Sequence, residues 1–79
     1  QESAAFNFRH LEGIAAIRRT RCFGAAAREI ALTQSALTQA VAAFERRLGC
    51  KLFDRGVRGT FSTTAGNILA DSIERALHI

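Results

Sequence analysis

A mainly α-helical domain, with three core helices, a small β-hairpin and a long last helix, is what this sequence predicts. Three observations carry that expectation. Apolar residues recur at helical spacing over 8–20, 23–31 and 32–48. Between 51 and 62 the pattern changes to two short extended runs around a centre rich in glycine and arginine. From Thr63 onward helical spacing returns and runs towards the end.

In the first stretch, Leu11, Ile14, Ala15 and Ile17 make an apolar stripe. Arg18, Arg19 and Arg21 gather at its end, where cations suit the negative pole of a helix dipole. Phosphate contact is the second reading of that cluster. Gly13 in mid-helix costs on the order of 1 kcal/mol against Ala, so a close neighbour is expected there. In the second stretch, Ala26 and Ala27 allow another helix to approach, Ile30 points inward and Phe23 anchors the preceding turn. Ala31 and Leu32 then form a tight connection to the next helix.

That third helix organises the rest. Leu37, Val41, Phe44 and Leu48 recur at spacings of four, three and four. Ser35, Thr38, Gln39, Ala42 and Arg46 fall opposite, small or polar. Thr33 stands at the N-cap position. A slim helix, polar at its leading end and apolar along its back, suits a DNA major groove; an ordinary amphipathic surface helix is the competing reading. Two helices joined by a short turn make a helix-turn-helix.

Gly49 closes the third helix in the manner of a C-cap glycine. Extended runs at 51–53 and 60–62 flank Asp54-Arg55-Gly56-Val57-Arg58-Gly59, read as a flexible, positively charged hairpin tip. Beside a helix-turn-helix it reads as a wing, with Arg55 and Arg58 for backbone or minor groove. Thr63 or Thr64 can cap the last helix. Its stripe of Ala65, Leu69, Ile73, Ala76 and Leu77 runs further than a small core needs, so an interface with a second copy, or with a domain missing from this sequence, is expected. The organisation is therefore a winged helix-turn-helix over 1–62 and a linker and dimerisation helix over 63–79.

Seventy-nine residues with a 48% hydrophobic fraction allow one small core. The net charge is +4 and ten of the eleven basic residues are Arg, which grips phosphate with two parallel hydrogen bonds. A basic excess on so small a domain points to a polyanion. Cys22 and Cys50 lack zinc-ligand spacing and fit a reducing cytoplasm, so neither metal nor cofactor is expected. No apolar run approaches a membrane span. His10 and His78 lie far apart, without a nucleophile or paired carboxylate at useful spacing, so an enzyme is not expected. The start QESAAF, without Met, reads as a piece of a longer protein.

Several motifs stand in one order: FRHL at 8–11, Phe23 with Ala26-Ala27, Thr33-Gln34-Ser35-Ala36-Leu37-Thr38-Gln39, and Phe44-Glu45 before Leu48-Gly49. Leu52-Phe53-Asp54-Arg55, Arg58-Gly59 and Thr63-Thr64-Ala65-Gly66 follow. In that order and spacing the chain resembles the N-terminal DNA-binding domain of a LysR-type transcriptional regulator. The resemblance implies a winged helix-turn-helix acting as a dimer on an inverted-repeat operator, joined through the last helix. It also implies a small-molecule effector, bound by a further domain that this sequence does not contain. It places Thr33 and Thr38 near phosphates, Gln34 on a base, and Arg55 and Arg58 in the wing. Together with the polar face of the third helix, this makes Gln34, Ser35, Thr38 and Gln39 the base-contact candidates, Thr38 also standing near phosphate, and Thr33, Arg46, Arg55 and Arg58 the backbone or minor-groove candidates.

Four departures from the family pattern stand out. Cys22 replaces a capping Ser, Gly13 replaces a bulky aromatic, Ser35 replaces Pro, and Phe61-Ser62 replaces a polar residue followed by Leu. A winged-helix protein-interaction module without DNA binding is the alternative function. Acidic or bulky apolar residues on the exposed helix face would favour it, whereas Ser35, Thr38 and Gln39 favour DNA.

Overall fold

The computed structural model describes residues 8–79. The expected start of the DNA-binding domain at 1–7 lies outside them. The order of elements is α1 (Phe8–Thr20), α2 (Phe23–Glu29), α3 (Gln34–Leu48), β1 (Phe53–Gly56), β2 (Gly59–Ser62) and α4 (Thr64–Leu77). A three-helix core, a two-stranded antiparallel hairpin and a closing helix make the winged helix-turn-helix.

Each helix is stopped or started by a nameable group. Thr33 Oγ1 accepts from Ala36 N at 3.0 Å, and Thr63 Oγ1 accepts from Gly66 N at 3.0 Å. Gly49 ends α3 at φ +75°, where a side chain would be strained. Between α2 and α3, Leu32 N donates to Ala27 O at 2.9 Å, and Ala31 takes φ +59° to complete the turn. The second helix therefore stops two residues short of the expected 31.

The core gathers Ile14, Ile17, Phe23, Leu37, Val41, Phe44, Leu52 and Phe53, with Ile73 from α4. Side chains of this kind stabilise by roughly 1.5–3 kcal/mol each when fully buried. Gly13 has the close neighbours its position demanded: an added Cβ would stand 2.6 Å from Leu37 Cδ1 and 2.9 Å from Ile30 Cδ1. The space a bulky side chain would take is filled from α3 and from the α2–α3 turn, so there is no slack. Leu48, expected on the buried face of α3, is exposed, and Ala40 takes part instead. The last turn of α3 runs past the core before Gly49 ends it.

The hairpin corrects the expected tip. Strand pairing runs without a bulge through Phe53↔Ser62, Asp54↔Phe61, Arg55↔Thr60 and Gly56↔Gly59, leaving only Val57 and Arg58 as the turn. Gly59 at φ +117° lets so short a turn close. Lys51 and Leu52 lie outside the strand because their end of the segment is held by α3: Glu45 Oε2 accepts from Leu52 N at 2.7 Å and from Phe53 N at 3.4 Å.

Helix α4 shares this core. Ala70 and Ile73 are buried, while Ala65, Leu69 and Leu77 pack against the core. A Cβ on Gly66 would collide with the Leu52 carbonyl, so only glycine allows this approach of α4 to the segment before β1. Four of the five residues expected to form a second-copy interface thus pack on their own chain. Only Ala76 is exposed, and the free face of α4 carries Ile68 and Ser72 with it. Both faces of α4 hold apolar side chains, and spacing alone does not say which one the core takes.

Candidate nucleic-acid interface

The leading ends of α2 and α3 converge. A Cβ on Gly24 would stand 3.2 Å from Gln34 Oε1, 3.8 Å from Arg28 Nη1 and 3.8 Å from Cys22 Sγ. A side chain at position 24 would crowd Gln34, the first residue of α3. Gln34, Ser35 and Gln39 are exposed on α3, so three of the four base-contact candidates share one accessible face. Thr38 is half-buried and turned towards the wing, where it lines a cleft of about 200 Å³ with Val41, Phe53 and Arg55. Thr33 spends an oxygen lone pair on its cap, leaving its hydroxyl proton available to an outside acceptor.

The wing candidates separate. Arg58 is exposed in the two-residue turn, beside a fully exposed Val57. Arg55 belongs to β1 and is held: its guanidinium carbon lies 4.1 Å from the centroid of the Phe23 ring. Phe23 in turn meets Phe53 edge to face at 6.0 Å. Such a cation–π contact is worth roughly 0.5–2 kcal/mol, depending on desolvation. Arg55 is therefore positioned in advance, at the mouth of the cleft between α3 and the wing. Arg46 is exposed at the far end of α3.

The arginines that end α1 divide into three different roles. Arg18 pairs with Asp71 at 2.8 Å and Glu74 at 3.0 Å, clamping α1 to α4. The hydrogen bond that Arg18 donates to Asp71, with help from Glu74, raises its already high pKa. Arg19 grips Glu29 through two 2.9 Å bonds, and this holds the Glu29 carboxyl below its ordinary value. Arg21 lies over the Phe61 ring at 4.9 Å. Arg18 and Arg19 lie in the last turn of α1, where the dipole reading expects cations, and both make tertiary ion pairs as well.

Cys22 caps α2, its sulfur accepting from Ala25 N at 3.4 Å. Hydrogen bonds from the Ala25 and Gly24 N–H groups and the nearby Arg28 charge lower its pKa from the ordinary 9.0. Sequence reasoning missed Arg28 and Glu45. The signal for Arg28 was a lone cation one turn before the helix-turn-helix turn. For Glu45 it was a carboxylate on an otherwise inward-turning part of α3. Among the described residues no group of His, Cys, Asp and Glu is placed to hold a metal ion, and no helix is long and apolar enough to cross a membrane.

The family model for bacterial regulatory helix-turn-helix proteins of the lysR family matches residues 8–67. The chain belongs to the LysR family. Among its relatives, the transcriptional regulator TfdT of Cupriavidus pinatubonensis is 36% identical over 69 residues, covering 87% of this chain and 30% of TfdT. The transcriptional activator AmpR of Citrobacter freundii is 41% identical over 69 residues, covering 82% of this chain and 24% of AmpR. The chain thus spans less than a third of the length of these LysR-family relatives, and both are transcriptional regulators. Among solved structures, the complex of the CbnR DNA-binding domain with DNA superposes with a TM-score of 0.82 at 30% identity, covering 92% of this chain and 84% of that one. The complex of the BenM DNA-binding domain with catB site 1 DNA gives 0.84 at 26% identity, covering 92% and 81%.

Proposed function

We propose that this chain is a sequence-specific DNA-binding module of a transcription regulator, acting in the cytoplasm as a dimer and by binding rather than catalysis. The observation that carries the reading is the accessible α3 face of Gln34, Ser35 and Gln39, set beside the wing cations Arg55 and Arg58. Fifteen residues make α3 about 22 Å long, enough to lie along a major groove while Leu37, Val41 and Phe44 keep its back on the core. Gln34, Ser35 and Gln39 are all polar and uncharged, which disfavours the protein-interaction alternative. The DNA-bound CbnR and BenM domains share the fold and support the same use of it.

In mechanism, Gln34 presents both a donor and an acceptor to a base edge, a pattern that suits adenine in the major groove. Ser35 and Gln39 extend the reading, and Thr38 does so where the groove wall reaches the cleft. Thr33, Arg46, Arg55 and Arg58 supply affinity and register through phosphates or the minor groove. Two copies joined along the free face of α4 present two recognition helices, so the preferred site is an inverted repeat. Small-molecule control enters through a further domain of the whole regulator.

Selection from a pool of randomised duplexes tests the reading. Sequencing of the retained DNA is expected to recover an inverted repeat, with half-sites about one helical turn apart or a multiple of it. Retention of DNA without enrichment of any sequence contradicts specific recognition.

A further inference from the structure

Resting on that proposed DNA-binding reading, we propose that Arg21 is a further contact to the DNA backbone and that Phe61 is its positioning residue. Of the three arginines that end α1, Arg18 and Arg19 are spent on Asp71, Glu74 and Glu29. Arg21 is exposed, and among the described residues no carboxylate pairs with it. Its guanidinium lies over the Phe61 ring instead, a contact that leaves the N–H donors at the rim of the plane open to a phosphate. Asp54 is the cross-strand neighbour of Phe61, yet no ion pair joins it to Arg21.

The backbone here is held in a conformation that arginine disfavours. Arg21 has φ +60°, a left-handed value that glycine adopts far more readily. Two hydrogen bonds fix it: Arg21 N donates to Ile17 O at 2.8 Å, and Thr60 N donates to Arg21 O at 3.1 Å. The second bond ties the α1–α2 turn to the second strand of the wing. A long cationic side chain is therefore kept at a strained position where the helix-turn-helix meets the wing, the two parts proposed to face DNA. Strain retained at such a place is expected of a residue that serves binding.

The exposed ring has the same explanation. Phe61 points away from the core and is 44% exposed, with the pairing around it undistorted. Arg55 pairs across the hairpin with the buried Thr60, so it lies on the inner face of the wing, whereas Phe61 and Asp54 occupy the outer one. Arg55 on Phe23 and Arg21 on Phe61 thus place one preset cation on each face of the wing.

The test is fluorescence anisotropy of a labelled randomised duplex over a salt series, with thermal unfolding measured on the same proteins. Arg21→Gly is expected to bind more weakly, and its fall in affinity between about 50 and about 200 mM salt should be roughly threefold smaller, as for one lost phosphate contact. Its unfolding midpoint should hold or rise, because glycine relieves the strained φ. Phe61→Leu should flatten the salt dependence part of the way, and Phe61→Tyr should restore it. An Arg21→Gly variant with the wild-type salt dependence, or with a midpoint that falls along with binding, overturns the contact. Wild-type salt dependence in Phe61→Leu overturns the positioning role. Wild-type protein that binds no duplex at any salt overturns the DNA-binding reading itself, and this inference with it.

Discussion

Cys22 shows how a single atom sets local behaviour. A sulfur at 3.4 Å is a weak acceptor for an N-cap, but the N–H groups it faces favour thiolate over thiol. Because stabilising the anion lowers the pKa, alkylation of Cys22 by iodoacetamide should rise with pH and reach half its maximal rate at a lower pH than in the urea-unfolded chain. A midpoint at or above that of the same thiol in the urea-unfolded chain, in a Cys50→Ala background, would contradict the cap geometry. Serine accepts more strongly at this position, so Cys22→Ser should add up to about 1 kcal/mol in denaturant unfolding. At this scale the cap Thr33 and the closing Gly49 were legible in the sequence, and the α4 cap was narrowed to Thr63 or Thr64, because a cap depends on neighbours within three or four residues. The stacking of Arg21 on Phe61 was not, since forty residues separate the two.

At the scale of elements, α3 was legible through the period of Leu37, Val41 and Phe44, which the core takes up as expected. The hairpin was legible in place but not in extent. Glycines at 56 and 59 read as a loose tip, whereas Gly59 closes a two-residue turn and leaves Asp54, Arg55 and Gly56 in a strand. What sets the start of that strand is Glu45, whose carboxylate takes the Leu52 and Phe53 N–H groups seven and eight residues away. Glu45→Ala leaves the Leu52 donor without this acceptor, at a cost of about 1–3 kcal/mol. Amide exchange at Leu52 should accelerate along with the loss of stability. Unchanged exchange at Leu52 would show that Glu45 does not hold the wing to α3.

For the whole molecule, the packing of α4 limits which of its faces the proposed dimer could use. Ile73 and Leu69 lie against the core, so charges placed there unfold the chain before they can report on association. The face left for a partner carries Ile68, which is 63% exposed, with Ser72 and Ala76 beside it. Ile68→Asp should therefore keep the unfolding midpoint within a few degrees while reducing self-association in sedimentation over a wide concentration range. It should also weaken binding to two-half-site DNA more than to a single half-site, because the second contact loses its high effective concentration. Equal mass and equal binding for wild type and variant would place the dimer contact elsewhere. The sequence pointed to the stripe from Ala65 to Leu77 as surplus to the core, whereas the core takes up all of it but Ala76, and the exposed apolar side chain is Ile68. Which face the core takes was settled by long-range packing, with Gly66 against Leu52 and Arg18 against Asp71 and Glu74.

The central claim is that the leading end of α3 reads bases through Gln34, and one comparison reaches it directly. Wild type and Gln34→Ala are each used to select from the same randomised duplex pool, and the retained sequences are compared position by position. A bidentate contact from Gln discriminates against a wrong base by roughly 1–3 kcal/mol. The account predicts that Gln34→Ala loses preference at one position in each half-site and keeps it at the others, with folding unaffected because Gln34 is exposed. An enriched sequence identical to that of the wild type at every position would contradict it.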